Sequence, residues 1–278
     1  MIGLFIWLII LLGRNGYFNE AVSLIISIIM VSSWFVPLCL EYTWCFFIML
    51  IVSIIGSIQA LQKNYFPLLF LISGILTAYL DFLSTETITL LIPLLIVLQI
   101  MEKQEISKQR KYFFAFKSCC AWLLGYIGMW GSKWIIASVI LRQNVMTYIV
   151  PHIDERIGGG FYNLSIFEYI VQAIMRNIKC LLPYDYGLIG SVIYFLLIIF
   201  LIVLPVISGK ICLKKRVNTG QIVLYLFIGI VPFIRFAILH NHSYIHCLFT
   251  FRALLTTVMS ICLIAIQLVE EKTKPERC

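Results

Sequence analysis

The stretch of sequence richest in chemically active side chains runs from residue 240 to residue 252, HNHSYIHCLFTFR, and lies between two apolar runs. An arginine guanidinium grips phosphate through paired hydrogen bonds, and histidines donate further ones. An interfacial loop whose polar groups meet only water and lipid headgroups is the alternative interpretation. The functional interpretation predicts a binding site for phosphate or sugar hydroxyls, made by His240, His242, Tyr244, His246 and Arg252.

Two carboxylates, Asp81 and Glu86, stand in a short polar break between apolar runs. A carboxylate at the end of a membrane span can act as a general base that deprotonates an acceptor hydroxyl. Burial at the membrane rim would raise its pKa toward a useful range. We therefore predict Asp81 and Glu86 as catalytic candidates. The alternative is a helix cap by Ser84 or Thr85, with Glu86 in the first turn of the following helix.

Three further charged or titratable residues belong to the predicted substrate-binding set. Arg235 lies inside an apolar run, where a charge indicates function, and we expect it beside the histidine segment. His152 and Arg156 precede a run of three glycines and could form a lid, or simply a solvated loop.

The spacing of the histidines bears on metal binding. His242 and His246 would share one face of a helix, whereas His240 would join them only on extended backbone. We accordingly predict no metal site and no cofactor, although a divalent cation is left open.

The composition excludes a soluble protein. Hydrophobic residues make up 62% of the 278 residues and charged residues 12%, with a mean hydropathy of +1.00. Soluble domains are about 45–50% apolar and about 25% charged. Backbone groups in lipid must pair within their own segment, so the apolar runs predict helices. The predicted fold class is an all-α polytopic membrane protein with eight or nine spans in a single transmembrane domain, 1–278. The apolar runs are 2–12, 21–40, 44–61, 66–80, 88–101, 118–141, 187–208, 221–240 and 253–269.

The basic residues predict the orientation of these spans. Cytoplasmic loops collect lysine and arginine, which places the basic loops 102–117 and 209–219 and the C-terminus in the cytoplasm. The net charge of +8 then indicates contact with anionic membrane lipids rather than with nucleic acid. The histidines, Asp81, Glu86, Arg156 and Arg252 fall on the opposite, extracytoplasmic side, and Arg235 lies inside a span near its outer end. The long loop 142–186 lies on the extracytoplasmic side too, and apolar residues at helical spacing predict an amphipathic helix in the outer interface.

A resemblance to a known group of proteins rests on three sequence features. These are Asp81-Phe-Leu in a break between spans, the segment GMWGSKW at 128–134, and the histidine segment with Arg252 before the last span. Over residues 20–269 the chain resembles bacterial membrane glycosyltransferases of the GT-C superfamily, found in surface-polysaccharide clusters. Those enzymes carry an acidic residue in the first extracytoplasmic loop. Here that loop holds only Glu41. Either Asp81 does not correspond to that acid or an N-terminal portion is missing, and the short first apolar run favours the second interpretation.

The resemblance implies an enzyme of the bacterial cytoplasmic membrane. It would transfer a sugar from a polyprenyl-phosphate donor to a cell-surface glycan or lipid-linked acceptor on the outer face. Asp81 would be the base, and Arg252 with the histidines would hold the donor phosphate. Two alternatives stay open, a polysaccharide polymerase or ligase and a non-catalytic transporter or flippase of lipid-linked glycans.

Overall fold

In the residues that it describes, the structure of the protein, a computed structural model, is helical apart from one pair of short strands. We describe residues 1–81, 83–145, 147–148, 151, 165–181, 196, 211–213 and 217–271. The two strands, β1 and β2, pair antiparallel and span Ile211–Leu213 and Val269–Glu271. The α-helices of the described residues are α1 Ile2–Arg14, α2 Phe18–Met30, α3 Leu40–Leu61, α4 Leu68–Leu80, α5 Ile88–Lys103, α6 Lys108–Leu141, α7 Ile166–Lys179, α8 Thr219–Ile238, α9 His240–Ile245, α10 Cys247–Thr250 and α11 Leu255–Leu268.

Four stretches of continuous helix are long and apolar enough to cross a membrane, which supports the predicted membrane class. Shorter apolar helices accompany them, namely α1, α2 and α4. The number of eight or nine spans stays a prediction, because the run 187–208 lies outside the described residues except at position 196. The four long stretches are Tyr42–Leu61, Lys108–Leu141, Thr219–Ile238 and Cys247–Leu268.

Two predicted boundaries differ from the structure. The run 21–40 is not one helix: α2 ends at Met30, and a 3-10 helix, Ser33–Leu38, follows. Ser32 has a left-handed φ of 51°, and Pro37 has no amide hydrogen to continue a helix, so the chain turns here. The predicted basic loop 102–117 is also shorter, because α5 continues to Lys103 and α6 begins at Lys108.

Helix α5 forms the centre of the bundle. Every residue from Ile88 to Met101 is buried, as expected for a helix that is apolar all round. Helix α6 lies at the periphery and leaves large apolar side chains exposed along its length, among them Phe116, Leu124 and Ile135. Such an apolar surface suits contact with lipid tails.

Helices α4 and α6 pack closely through two glycines. A Cβ at Gly74 would lie 2.2 Å from the Trp122 carbonyl oxygen, and a Cβ at Gly125 would lie 2.2 Å from the Leu71 carbonyl oxygen. Small residues allow this backbone approach, which is a common mode of helix association in membranes. Further along α6, Lys133 donates hydrogen bonds to the carbonyl oxygens of Ala78 and Tyr79 at the end of α4, where a cation is favourable.

The bundle has two polar ends. At the first, which we call the basic end, the side chain of Lys103 at the end of α5 contacts Gly16 and Glu20 near the start of α2. The side chain of Asn218, just before α8, donates a hydrogen bond to Glu102 over 2.9 Å. The second, which we call the histidine end, holds residues 83–87, the last turn of α8 and residues 240–254. The basic end and the histidine end therefore lie at opposite ends of α5 and α8.

Candidate functional site

Asp81 caps the turn that follows α4. Its carboxylate accepts hydrogen bonds from the backbone amide of Ser84, over 3.0 Å, and from the Ser84 hydroxyl. The Cys45 thiol of α3 donates another. Burial and the nearby charge of Glu86 raise the pKa of Asp81 above its ordinary value near 3.8, and these hydrogen bonds oppose that rise only in part. Asp81 is half-buried, so its carboxylate combines a raised proton affinity with partial access to solvent.

Glu86 forms a buried ion pair with Arg235. The Arg235 Nε lies 2.9 Å from Glu86 Oε1 and Nη2 lies 3.3 Å from Oε2, a bidentate arrangement. The two side chains are only 5% and 7% exposed. Burial acts to raise the pKa of Glu86, but the charge and hydrogen bonds of Arg235 outweigh it and hold the pKa below its ordinary value. Glu86 is therefore a carboxylate with its charge already compensated.

The backbone carbonyl of Leu83 joins the turn to the histidine segment. It accepts hydrogen bonds from Arg235 Nη2 and from His242 Nε2, the latter at 2.9 Å. A carbonyl can only accept, so the hydrogen of the His242 ring lies on Nε2. Leu83 has a left-handed φ of 63°, which is uncommon for a residue other than glycine. The third donor group of Arg235, Nη1, is 3.1 Å from the hydroxyl of Ser243.

His240 is buried and has one ring nitrogen without a partner in the described part of the chain. Its Nδ1 donates a hydrogen bond to the carbonyl oxygen of Ala237 over 3.2 Å, because a carbonyl can only accept. The second ring nitrogen, Nε2, is buried and makes no hydrogen bond to any described residue. The Tyr169 ring contacts the His240 ring edge-on, with centroids 5.6 Å apart. His240 thus offers a buried ring nitrogen to a hydrogen-bonding ligand.

Helix α7 holds the histidine segment in place. A capping box between Ser165 and Glu168 begins this helix, as its sequence favours. Tyr169 then donates a hydrogen bond to the side chain of Asn241 over 2.8 Å. Asn177 donates to the Ser243 carbonyl oxygen over 2.9 Å. These buried contacts fix α9 against α7.

Arg252, Tyr244 and His246 lie further along the histidine segment. The Nη1 of Arg252 donates to the Leu248 carbonyl oxygen over 3.0 Å, while Nε is buried with no partner among the described residues. The Arg176 guanidinium of α7 lies over the Tyr244 ring, 4.2 Å from its centroid. His246 is exposed and its ring lies 4.8 Å from that of His242.

The structure brings some of the predicted site residues together and places others further along the histidine segment. Asp81 and the internally paired set Glu86, Arg235 and His242 form the first group, which we call the carboxylate cluster, and the ring of His246 lies beside that of His242. Tyr244, which contacts Tyr169 and Arg176, and Arg252, which donates to the Leu248 carbonyl oxygen, lie further along the segment. His240 lies beside α7, and His152 and Arg156 lie outside the described residues. Within the described residues no group of three or more His, Cys, Asp or Glu side chains could hold a metal ion.

Several site residues were missed from the sequence. Arg176 stood out only as one of several polar positions on an amphipathic helix, and its contact with Tyr244 depends on how α7 packs. The Leu83 carbonyl and the Ser243 hydroxyl carried no signal, because a backbone oxygen at a left-handed residue and a single serine are invisible to spacing arguments. Cys45, inside an apolar run, looked like a small hydrophobic residue.

Comparison with known proteins adds no relative: no family model matches the sequence, and no curated protein or solved structure shows significant similarity to it. The function must therefore be argued from the geometry of the histidine end.

Proposed function

We propose that this protein is a membrane glycosyltransferase that moves a sugar from a polyprenyl-phosphate donor to a cell-surface glycan or lipid-linked acceptor. It would reside in the bacterial cytoplasmic membrane with eight or nine spans, a cytoplasmic C-terminus and the histidine end on the outer face. In the reaction the acceptor hydroxyl oxygen bonds to the anomeric carbon of the donor sugar. The polyprenyl phosphate leaves with the electrons of the broken bond, and Asp81 takes the hydroxyl proton.

The observation that carries this proposal is the convergence of the polar groups at one end of the bundle. Asp81 lies within the electrostatic reach of Glu86, whose partner Arg235 also contacts the histidine segment. The basic end lies at the opposite end of the bundle, and the positive-inside rule assigns that end to the cytoplasm. A substrate delivered on the outer face would therefore meet a carboxylate, imidazoles and arginines together.

Asp81 suits the role of base better than Glu86. Arg235 holds Glu86 ionised in a bidentate pair, and a carboxylate so engaged has little affinity for a proton. Its charge in turn raises the pKa of the neighbouring Asp81. In this proposal Glu86 tunes the base and positions Arg235, and Asp81 accepts the proton.

The experiment replaces Asp81 by asparagine and measures transfer from a panel of polyprenyl-phosphate sugars by the purified protein in proteoliposomes. A general base contributes about 10²–10⁴-fold, so Asp81→Asn should reduce the rate by at least about a hundredfold while expression stays normal. Glu105→Gln is the matched control, because it makes the same chemical change at an exposed position of the basic end. This control should transfer at the wild-type rate.

Other outcomes separate the competing interpretations. A wild-type rate in Asp81→Asn would remove Asp81 from the mechanism. Strict use of diphosphate carriers by the wild-type protein would indicate a polymerase or ligase instead. Movement of the lipid-linked sugar across the bilayer without a covalent change would indicate a transporter.

A further inference from the structure

Helices α4 and α6 run side by side in the same direction. The ring of Tyr65, just before α4, contacts the ring of Phe114 near the start of α6, with centroids 6.0 Å apart. At the other end, Lys133 Nζ donates a hydrogen bond to the carbonyl oxygen of Tyr79 over 3.2 Å. Because α4 ends at Leu80, Lys133 marks the level on α6 at which the turn of the carboxylate cluster begins.

Helix α6 continues well beyond this level. It ends at Leu141, and the stretch from Lys133 to that residue is about 12 Å long. A tilt of about 40°, which is large for a membrane helix, still leaves about 9 Å along the membrane normal. Helices α4 and α5, with 13 and 16 residues, are only about 20 Å and 24 Å long, against a hydrocarbon core of about 30 Å. The carboxylate cluster, at the junction of these two helices, therefore lies below the end of α6.

The end of α6 is apolar around most of its circumference. Five aliphatic side chains between 56% and 72% exposed follow Lys133, namely Ile135, Ile136, Val139, Ile140 and Leu141. At about 100° per residue they are spread over about 240° of the helix. A neighbouring helix, such as one from a second copy, covers a stripe of about 100°, whereas acyl chains surround a helix on every side. The sequence turns polar directly afterwards, with RQN at 142–144, as at the end of a span.

Lys133 has the contacts that a cation outside bulk water requires. Its Nζ donates to the carbonyl oxygen of Ala78 over 2.6 Å as well as to that of Tyr79, and it lies 5.1 Å from the centroid of the Tyr79 ring. An intramembrane charge is costly and pairs with other side chains or with backbone carbonyls. Glu86 and Arg235 are likewise paired with each other. The charges at this level thus have the partners expected below the membrane surface.

We propose that the carboxylate cluster lies within the bilayer, about 9–12 Å below the hydrocarbon boundary at the histidine end, and that acyl chains of this leaflet cover residues 134–141 of α6. The exposed His246, beside His242, is where water and aqueous reagents meet the recessed cluster. The depth follows from the geometry whatever the activity. Its consequence for the substrate rests on the proposed function: an acceptor hydroxyl meets Asp81 only when its carrier enters the bilayer, which favours a lipid-linked acceptor over a soluble glycan.

The first experiment measures depth with a nitroxide attached to single cysteines, in the full-length protein without native cysteines, reconstituted in phosphatidylcholine vesicles. Power saturation reports collisions of each label with oxygen, which concentrates in hydrocarbon, and with a water-soluble nickel chelate. Relative to oxygen, nickel collisions at Ile136→Cys should be at least about tenfold fewer than at Gln143→Cys, because a polar chelate is excluded from hydrocarbon. Gln143 is the matched control, since it is exposed on the same chain segment just past the apolar run. Ile140→Cys should give an intermediate value.

Two outcomes of this experiment would overturn the proposal. Equal nickel collisions at Ile136→Cys and Gln143→Cys would place the end of α6 in water. A label at Ile136→Cys that is shielded from both oxygen and nickel would have a protein neighbour, such as a second copy, in place of lipid.

A second experiment uses the wild-type protein and so does not depend on the folding of a variant. The vesicles contain a phospholipid with a photoreactive diazirine in its acyl chain, and mass spectrometry maps the adducts. Trypsin cleaves after Lys133 and Arg142 and so releases the end of α6 as peptide 134–142. Its adducts should be at least about tenfold more frequent than those on peptide 104–108, from the turn between α5 and α6 at the basic end. Equal frequencies on the two peptides would contradict the lipid cover.

The consequence for the substrate is measured separately, by supplying the same acceptor sugar either free or linked to a polyprenyl chain. Faster transfer to the free sugar would overturn the lipid-linked assignment. Failure of the depth is distinguishable from failure of the proposed function. A buried label at Ile136→Cys without any sugar transfer would refute only the enzyme, whereas sugar transfer by a protein whose label collides freely with nickel would refute only the depth.

Discussion

Replacing Glu86 by glutamine should destabilise the folded protein far more than the same replacement at Glu20. Glu86→Gln leaves the Arg235 guanidinium charged and almost completely buried, because only 5% of that side chain is exposed. Removal of one partner from a buried ion pair costs about 3–5 kcal/mol of unfolding free energy. At the basic end Glu20 is itself buried, but its partner Lys103 is 41% exposed and can turn into solvent when Glu20 is replaced, so that no charge is left buried. Glu20→Gln should therefore cost only about 0–1 kcal/mol.

The assay is equilibrium unfolding of the purified protein in mixed micelles with increasing dodecyl sulfate, followed by circular dichroism. A double-mutant cycle with Arg235→Met isolates the interaction between the two side chains. We expect a coupling free energy of about 1–3 kcal/mol, so that the double variant loses less than the sum of the two single ones. Equal stabilities of Glu86→Gln and Glu20→Gln, or additive effects in the cycle, would refute the buried pair.

Three further predictions concern packing, orientation and pH. Gly74→Ala should cost about 1–3 kcal/mol of unfolding free energy, because the added Cβ meets a backbone carbonyl oxygen. Gly131→Ala, whose Cβ meets nothing within 4 Å, should not destabilise the protein, and equal stabilities of the two variants in the same assay would contradict the close helix contact. With native cysteines removed, His246→Cys should react with an impermeant maleimide in intact cells and Lys108→Cys only after lysis, and the reverse pattern would invert the topology. The rate of sugar transfer should fall as the pH drops through the pKa of Asp81, because a protonated base accepts no proton. Burial and the neighbouring Glu86 carboxylate raise that pKa, and a flat pH profile would exclude Asp81 as the base.

The sequence was a good guide to the features that depend on local composition. Apolar runs of the length of a span predicted where most helices lie, and the spacing of apolar residues predicted a helix where the structure has α7. The break between α4 and α5 appeared because Asp81 and Glu86 are too polar for lipid. Counting the apolar runs between the basic loops and the histidine segment also predicted that they lie at opposite ends of the bundle.

The features that the sequence could not predict depend on contacts between distant residues. Glu86 and Arg235 are 149 positions apart, and nothing in either neighbourhood indicates that they pair. The prediction that Arg235 lies near the histidine segment is confirmed by its contact with Ser243, but the carboxylate partner was missed. Likewise, Gly74 and Gly125 look ordinary in isolation, and only the close backbone approach of α4 and α6 shows why a side chain does not fit.

The long sequence separation in the Glu86–Arg235 pair has a consequence for biogenesis. At a synthesis rate of about 5–20 residues per second, roughly 7–30 s pass between the emergence of the glutamate and that of the arginine 149 positions later. During this interval the nascent chain carries an uncompensated carboxyl group at the edge of an apolar helix. A chain whose translation stops before residue 235 can neutralise it only by taking up a proton and never gains the ion pair, so such fragments should be preferred substrates of membrane quality-control proteases.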